Sequence, residues 1–246
     1  MTGYTDGSTG NAIADPRTYT MIRLADGSLL AATDAGAVWM PDPDLAPGQG
    51  IVCADWTAIR DMVFDPVTGV VYAGTDDFVM IWDLSVAQCD VTFLDPSNSP
   101  LQADPPLNPP DQTVRAVALE SGGGAVWFGT DHPTLARLDT VTGDWTVYRP
   151  AELSATVGDR INDLAVELSG GYAAAPVDRD IVWAGVDGGG NNDASVIRRD
   201  EAMPSWVTWR VNPDGLPDPV VEAIVIGADG TKWLATPGGI VGYGWR

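Results

Sequence analysis

Chemistry in this chain would have to come from a small set of polar side chains that open otherwise apolar segments. Arg60, Arg115, Asn162 and Glu222 share one aligned position, and Asp61 and Asp163 share the next. Cleavage of a glycosidic bond by acid/base catalysis needs two carboxylates roughly 5 to 9.5 Å apart. Asp61, Asp163 and Glu222 are therefore the carboxylates that a propeller-type lyase or glycoside hydrolase would use. Mixed charges around a narrow opening equally suit recognition of a polar ligand, or ion pairing between neighbouring sheets. Adjacent strand positions point to opposite sides, so only one of the two columns can face a common opening.

A second set consists of Asp34, Asp76, Asp131 and Asp187, each directly after a strand that ends in a small residue and Thr or Val, with Pro237 in the fifth place. Aspartate there either caps the hairpin turn through its own backbone or contributes to an acidic ring that attracts a cation, a basic group or a sugar. His132 is the only histidine. Multi-His metal centres are thereby excluded, and any Ser-His-Asp triad would have to use it; it joins the ligand-binding candidates. The loop from Asp187 to Ser195 carries oxygen donors at Asp187, Asn191 and Asp193, the places where calcium would bind, although the D-x-[DN]-x-[DN]-G spacing is absent. No G-x-S-x-G, H-E-x-x-H or P-loop pattern occurs, and no cofactor other than that calcium is expected.

The elements that position these residues repeat five times. Middle strands end at Thr33, Thr75, Thr130, Val186 and Thr236, which are 42, 55, 56 and 50 positions apart, near the roughly 40 to 50 residues of one propeller blade. Leu30, Tyr72, Trp127, Trp183 and Trp233 occupy one column, and Ala32, Gly74, Gly129, Gly185 and Ala235 the same face two residues on. The large side chain is expected to lie against the next blade where the small residue leaves room. Upstream, the apolar segments starting at Tyr19, Ile59, Val114, Ile161 and Val221 read as innermost strands, each followed by a hairpin turn. Outer strands are expected around Trp56, Phe93, Trp145 and Trp206 with Trp209.

These features predict an all-β chain, 1–246, folded as a single five-bladed β-propeller with four-stranded antiparallel blades. The blades are expected at about 19–57, 58–95, 113–150, 160–211 and 219–246, the last closed by N-terminal residues 1–8, because an open edge invites aggregation.

Composition narrows the partners. With 13 basic and 34 acidic residues the net charge is −21, which argues against nucleic acid and anionic membrane surfaces. The acid is almost all aspartate, as befits a chain rich in tight turns and poor in helix. No apolar run approaches the roughly 20 residues that cross a bilayer as a helix. The opening residues MTGYTDGSTG carry no secretory signal, so this chain is read as intracellular or supplied without a leader. Cys53 and Cys89 lack zinc-type spacing; they are free thiols or, in an exported protein, a disulfide between outer strands. Residues 95–112 contain six prolines and read as an extended connection that could dock a partner.

GAVWFGT followed by LARLD, and DGTKWLAT followed by GGI, resemble the repeat of two-component regulator propellers, sensor-domain blades that are similar to streptogramin-lyase-type propellers. The likeness covers all five units. It departs from the WD40 pattern, since Trp82-Asp83 is the one WD pair and no Gly-His pair precedes it. The resemblance implies an extracellular or periplasmic, non-enzymatic binding domain that recognises a small polar ligand or a protein partner at the funnel face. A propeller enzyme and a structural assembly subunit are the alternatives.

Overall fold

A computed structural model describes residues 17–41, 51–53, 57–84, 91–95, 97–101, 113–132, 134–149, 160–168, 180–188, 195–200, 203–211 and 214–244. Residues 1–8, Trp56, Cys89, residues 102–112, Asn191 and Asp193 lie outside these, as does the side chain of Cys53. The expectations of N-terminal closure, of a cysteine pair and of partner docking through the proline segment therefore fall beyond the described residues.

Among the described residues, nineteen strands form five antiparallel sheets, each a simple meander. The first holds β1 (Thr18–Arg23), β2 (Leu29–Thr33), β3 (Gly36–Met40) and β4 (Ile51–Cys53); the second holds β5 (Ile59–Asp65), β6 (Val70–Thr75), β7 (Val79–Asp83) and β8 (Val91–Leu94). The third holds β9 (Val114–Leu119), β10 (Ala125–Thr130), β11 (Leu135–Asp139) and β12 (Trp145–Tyr148). The fourth holds β13 (Ile161–Leu168), β14 (Asp180–Val186), β15 (Val196–Asp200) and β16 (Met203–Trp209), and the fifth β17 (Ala223–Ile226), β18 (Lys232–Thr236) and β19 (Gly239–Tyr243). This is the five-bladed β-propeller that the repeat predicts, its last blade three-stranded among the described residues. One 3-10 turn, Ser121–Gly123, is the helical element described there, and no helix is long and apolar enough to cross a membrane.

The chain divides into two compact units, residues 1–99 with 112–117, and residues 100–111 with 118–246. In the first, Leu24, Leu30, Ala32, Ile59, Met62, Val71, Ala73, Met80 and Trp82 form one buried cluster between the first two sheets, where β1 lies against β5. In the second, β13 lies against both β10 and β17, and Trp183, Val196, Leu216, Val221, Ile224 and Leu234 pack together.

The small-residue column does make room, though for a different group than expected. A Cβ on Gly74 would lie 2.5 Å from the Val114 carbonyl oxygen and 2.8 Å from Val114 Cγ1, and one on Gly185 would lie 2.8 Å from Val221 Cγ1. At Gly74 and Gly185 the space admits the first residue of the next inner strand and not an aromatic ring, while Trp183 does lie against the next blade, packed with Val221, Ile224 and Leu234. Trp127 and Trp183 are buried and stack on the outer strand of their own blade, against Tyr148 with centroids 5.9 Å apart and Trp209 with centroids 5.1 Å apart. Each indole N–H donates to a buried glutamate, Trp127 to Glu120 Oε1 at 2.8 Å and Trp183 to Glu167 Oε2 at 2.9 Å. Both glutamates lie six residues after the inner strand's first residue. Glu120 is held bidentately by Arg137, at 2.7 and 2.8 Å, whereas Glu167 faces Lys232 Nζ of the next blade at 2.6 Å. Trp233, the fifth member of the column, is 51% exposed.

The aspartate excess has its expected cause at the turns between first and second strands and in outer loops. Asp65 accepts hydrogen bonds from Val67 N (2.8 Å) and Thr68 Oγ1 (2.6 Å), and Asp26, Asp95, Asp139 and Asp229 close their turns in the same way. Gly69, at φ +78°, completes the Asp65 turn in the left-handed region that a side chain would strain. At the turn between second and third strands the cap is threonine. Thr33 Oγ1 donates to Gly36 O at 2.9 Å, Thr75 Oγ1 to Phe78 O at 2.8 Å and Thr236 Oγ1 to Gly239 O at 2.8 Å, and Asp77 N and Phe78 N donate back to Thr75 Oγ1.

Candidate functional site

Because threonine caps the second-to-third-strand turn, the aspartate that follows is released for other work. Asp76 takes the Arg60 guanidinium bidentately, Nε to Oδ1 and Nη2 to Oδ2, both at 2.6 Å. Arg60 Nη1 also reaches Asp34 Oδ1 at 3.3 Å and the Tyr19 hydroxyl, while Tyr19 donates to Asp34 and Arg17 Nη1 stands 3.1 Å from Asp34 Oδ2. The Arg60 guanidinium carbon lies 4.8 Å from the Tyr19 ring centroid. The Asp76 hydrogen bonds hold Arg60 above its ordinary pKa, against the opposing effect of burial. One cluster of two arginines, two aspartates and a tyrosine thus joins the first and second blades on the side where each inner strand begins.

Strand register explains why Tyr19 belongs here. Thr18 pairs with Thr33 and Ile59 with Thr75, each followed by an irregularity, so the first inner strand begins at Thr18, one residue earlier than the apolar pattern indicates. Tyr19 then falls in the column of Arg60. In the second unit a similar pair forms from an arginine two positions earlier relative to the inner strand: Arg160, just before Ile161, puts Nη2 3.0 Å from Asp187 Oδ2. Asp187 N donates to Arg160 O at 3.0 Å, and Gly188 N to Pro219 O at 2.9 Å, which fastens that turn to the entry of the fifth blade.

The other sequence-predicted residues separate by column. Asn162 Nδ2 donates to Val221 O at 3.1 Å, and Glu222 is exposed at the start of the fifth blade. Arg115 lies half-buried in β9. Asp61 and Asp163 do something else: each accepts its own next amide and one from the neighbouring inner strand. Asp61 receives Met62 N and Val117 N, both at 2.8 Å, and Asp163 receives Leu164 N at 2.8 Å and Ile224 N at 2.6 Å. Burial pushes the Asp163 carboxyl up to about 6 even though both amides oppose it. These two carboxylates are fasteners between blades, and their oxygens are committed to backbone.

His132, half-buried in the β10–β11 turn, serves that turn through its backbone carbonyl, which accepts from Thr130 Oγ1 and Thr134 N. Of the three calcium candidates, Asp187 is the described one, and it is paired with Arg160. Among the described residues no group of three or more His, Cys, Asp or Glu side chains is placed to hold a metal ion. Sequence reasoning missed Arg17, Tyr19 and Arg160 as members of the charged rim, and it missed the buried Lys232–Glu167 pair. A signal for the latter existed: Lys232 is the one lysine of an acidic chain, inside an apolar strand.

No family model and no curated protein sequence matches the chain. Solved structures do. The chain is similar to a crystal structure described as the extracellular domain of a hybrid two-component system from B. thetaiotaomicron, with TM-score 0.70 and 18% identity over 94% of this chain and 28% of that one. It is similar to a Bacteroides thetaiotaomicron protein of unknown function, with TM-score 0.59 and 12% identity over 95% and 55% of the two chains. PorZ, a surface component of the type-IX secretion system of Porphyromonas gingivalis, gives TM-score 0.64 and 16% identity over 96% and 33%. The chain spans from 28% to 55% of the length of these proteins. At such identities the likeness establishes one thing, the β-propeller fold, in a group that includes an extracellular domain of a hybrid two-component system and a surface component.

Proposed function

We propose that the chain is a non-enzymatic binding propeller of the sensor type, working outside the cytoplasm, and that it recognises a small polar ligand or a protein partner at the face where the inner strands begin. The observation that carries this reading is the division of labour between adjacent columns. Asp61 and Asp163, two of the three carboxylates an acid/base reaction would draw on, accept backbone amides of the neighbouring strand, which leaves the exposed Glu222 without a second carboxylate from this set. Each unit keeps charge with partly exposed donors and acceptors where its inner strands begin, Arg60, Asp34 and Asp76 in the first and Arg160 and Asp187 in the second. Pre-paired guanidinium and carboxylate groups offer a polar ligand fixed forks at little cost in side-chain ordering. The extracellular and surface settings of two similar structures support the location.

The test is a thermal-shift screen of sugars, short peptides and divalent ions, with and without chelator, on the parent chain and on Arg60→Gln. A ligand at about 100 times its Kd adds about 2.7 kcal/mol to stability. A compound that raises the Tm of the parent and not of Arg60→Gln supports the reading. Compounds that raise both equally, or turnover of a sugar or lactone substrate by the parent, overturn it.

A further inference from the structure

Beside the Trp183–Trp209 stack, between the fourth and fifth blades of the second unit, lies a cavity of about 190 Å³ lined by Trp183, Val196, Trp209, Lys232, Leu234, Tyr243 and Gly244. The preceding pair of blades shows what such a stack normally carries. Tyr148 stands where Trp209 stands, since Leu135 pairs with Tyr148 and Val196 with Trp209. There the outer face is occupied: the Trp206 ring meets Tyr148 edge-on with centroids 5.2 Å apart, and the Arg199 guanidinium carbon sits 4.1 Å over the Tyr148 ring. In the fifth blade Tyr243 takes the place of Arg199, because Lys232 pairs with Tyr243 as Val182 pairs with Arg199. Among the described residues no fourth strand brings a counterpart of Trp206. The site has one aromatic wall, one aliphatic wall from Val196 and Leu234, and an aromatic rim at Tyr243. An apolar cavity of roughly 150 Å³ suffices to admit a benzene ring, so this one is large enough for a phenol or an indole.

We infer that this cavity is a binding site for a small planar aromatic molecule of the phenol or indole class, seated against the Trp183–Trp209 stack in the position that Trp206 occupies against Tyr148. It is independent of the charged rim and uses none of its residues. The chemistry is ring-on-ring packing, with offset or edge-on geometry supplied by two indoles and a phenol.

The probes are p-cresol and indole, with cyclohexanol as a non-aromatic control, titrated into the full chain while the indole N–H signals of Trp183 and Trp209 are followed by ¹H–¹⁵N correlation spectra, assigned from Trp183→Phe and Trp209→Phe. Saturable shifts of both signals are expected with the two aromatics, about fivefold weaker with cyclohexanol, and lost in Leu234→Trp, which fills the cavity. Should Leu234→Trp not fold, Val196→Phe fills the same space from the opposite wall. Absence of saturable shifts in the parent, or shifts that survive filling, overturns the assignment. Shifts seen only after residues 1–8 are removed also overturn it, since the chain itself would then be the occupant.

Discussion

Lys232 offers the sharpest stability test. Its side chain is 1% exposed, Glu167 is 5% exposed, and Nζ lies 2.6 Å from Glu167 Oε1, with the Trp183 N–H on the other oxygen and the ring centroid 5.2 Å from Nζ. Charges withdrawn from water this completely depend on each other, so removing one leaves the other buried and uncompensated. Lys232→Met should therefore cost about 3–5 kcal/mol. At roughly 2–4 °C per kcal/mol for a chain of this size, Tm falls by about 6–20 °C. The double variant Lys232→Met with Glu167→Gln removes both charges while leaving an acceptor for Trp183, and should recover most of the loss. Urea denaturation followed by tryptophan fluorescence reads all members of the cycle. A single Lys232→Met variant within about 1 kcal/mol of the parent, or a double variant less stable than the single, would refute the pairing argument.

Other outcomes follow from the same geometry. Gly185→Val should destabilise by more than the roughly 1–3 kcal/mol of ordinary overpacking, since its Cβ alone would meet Val221 Cγ1 at 2.8 Å; normal stability in a melt would show that the small column is not the seat of the next strand. Thr75→Val should cost about 1–2 kcal/mol by uncapping the β6–β7 turn, whereas Asp76→Asn, at a partly exposed pair, should cost about 1 kcal/mol or less; the reverse order would return the cap to aspartate. Asp163, with its folded pKa raised to about 6, binds its proton more tightly folded than unfolded. Its contribution is complete below the unfolded value of 3.8 and is lost as pH rises through about 6. The difference in Tm between parent and Asp163→Asn should accordingly change between pH 4 and pH 7, and a constant difference would place Asp163 in water.

Much of the architecture was readable because it depends on local chemistry. A small residue two positions after a large one, then threonine in four units and Val186 in the fourth, marks the end of each middle strand, and the five units declare themselves by it. The register of the first inner strand was harder, because Thr18 and Tyr19 are equally compatible with a strand start, and only pairing with Thr33 decides. Aspartate and threonine both cap turns, so the neighbours of Thr75 and Asp76 do not reveal which is used. The answer depends on Arg60, 16 positions away from Asp76. Buried polar pairs were least legible. Glu167 meets Lys232 across 65 positions, and lysine is a residue type almost never found fully buried unless paired. Of the candidate site, the rim column was found from alignment, but its division into a charged rim and a row of backbone fasteners required knowing which side of each strand faces its neighbour.

The most direct measurement is a calorimetric titration of whichever ligand the thermal-shift screen selects into the parent, Arg60→Gln and Asp61→Asn. Affinity lost in Arg60→Gln with stability nearly kept, and affinity kept in Asp61→Asn with about 1–3 kcal/mol of stability lost, is the result that adjacent columns of different purpose require. Full affinity in Arg60→Gln, together with loss of binding or turnover in Asp61→Asn at unchanged stability, would contradict it.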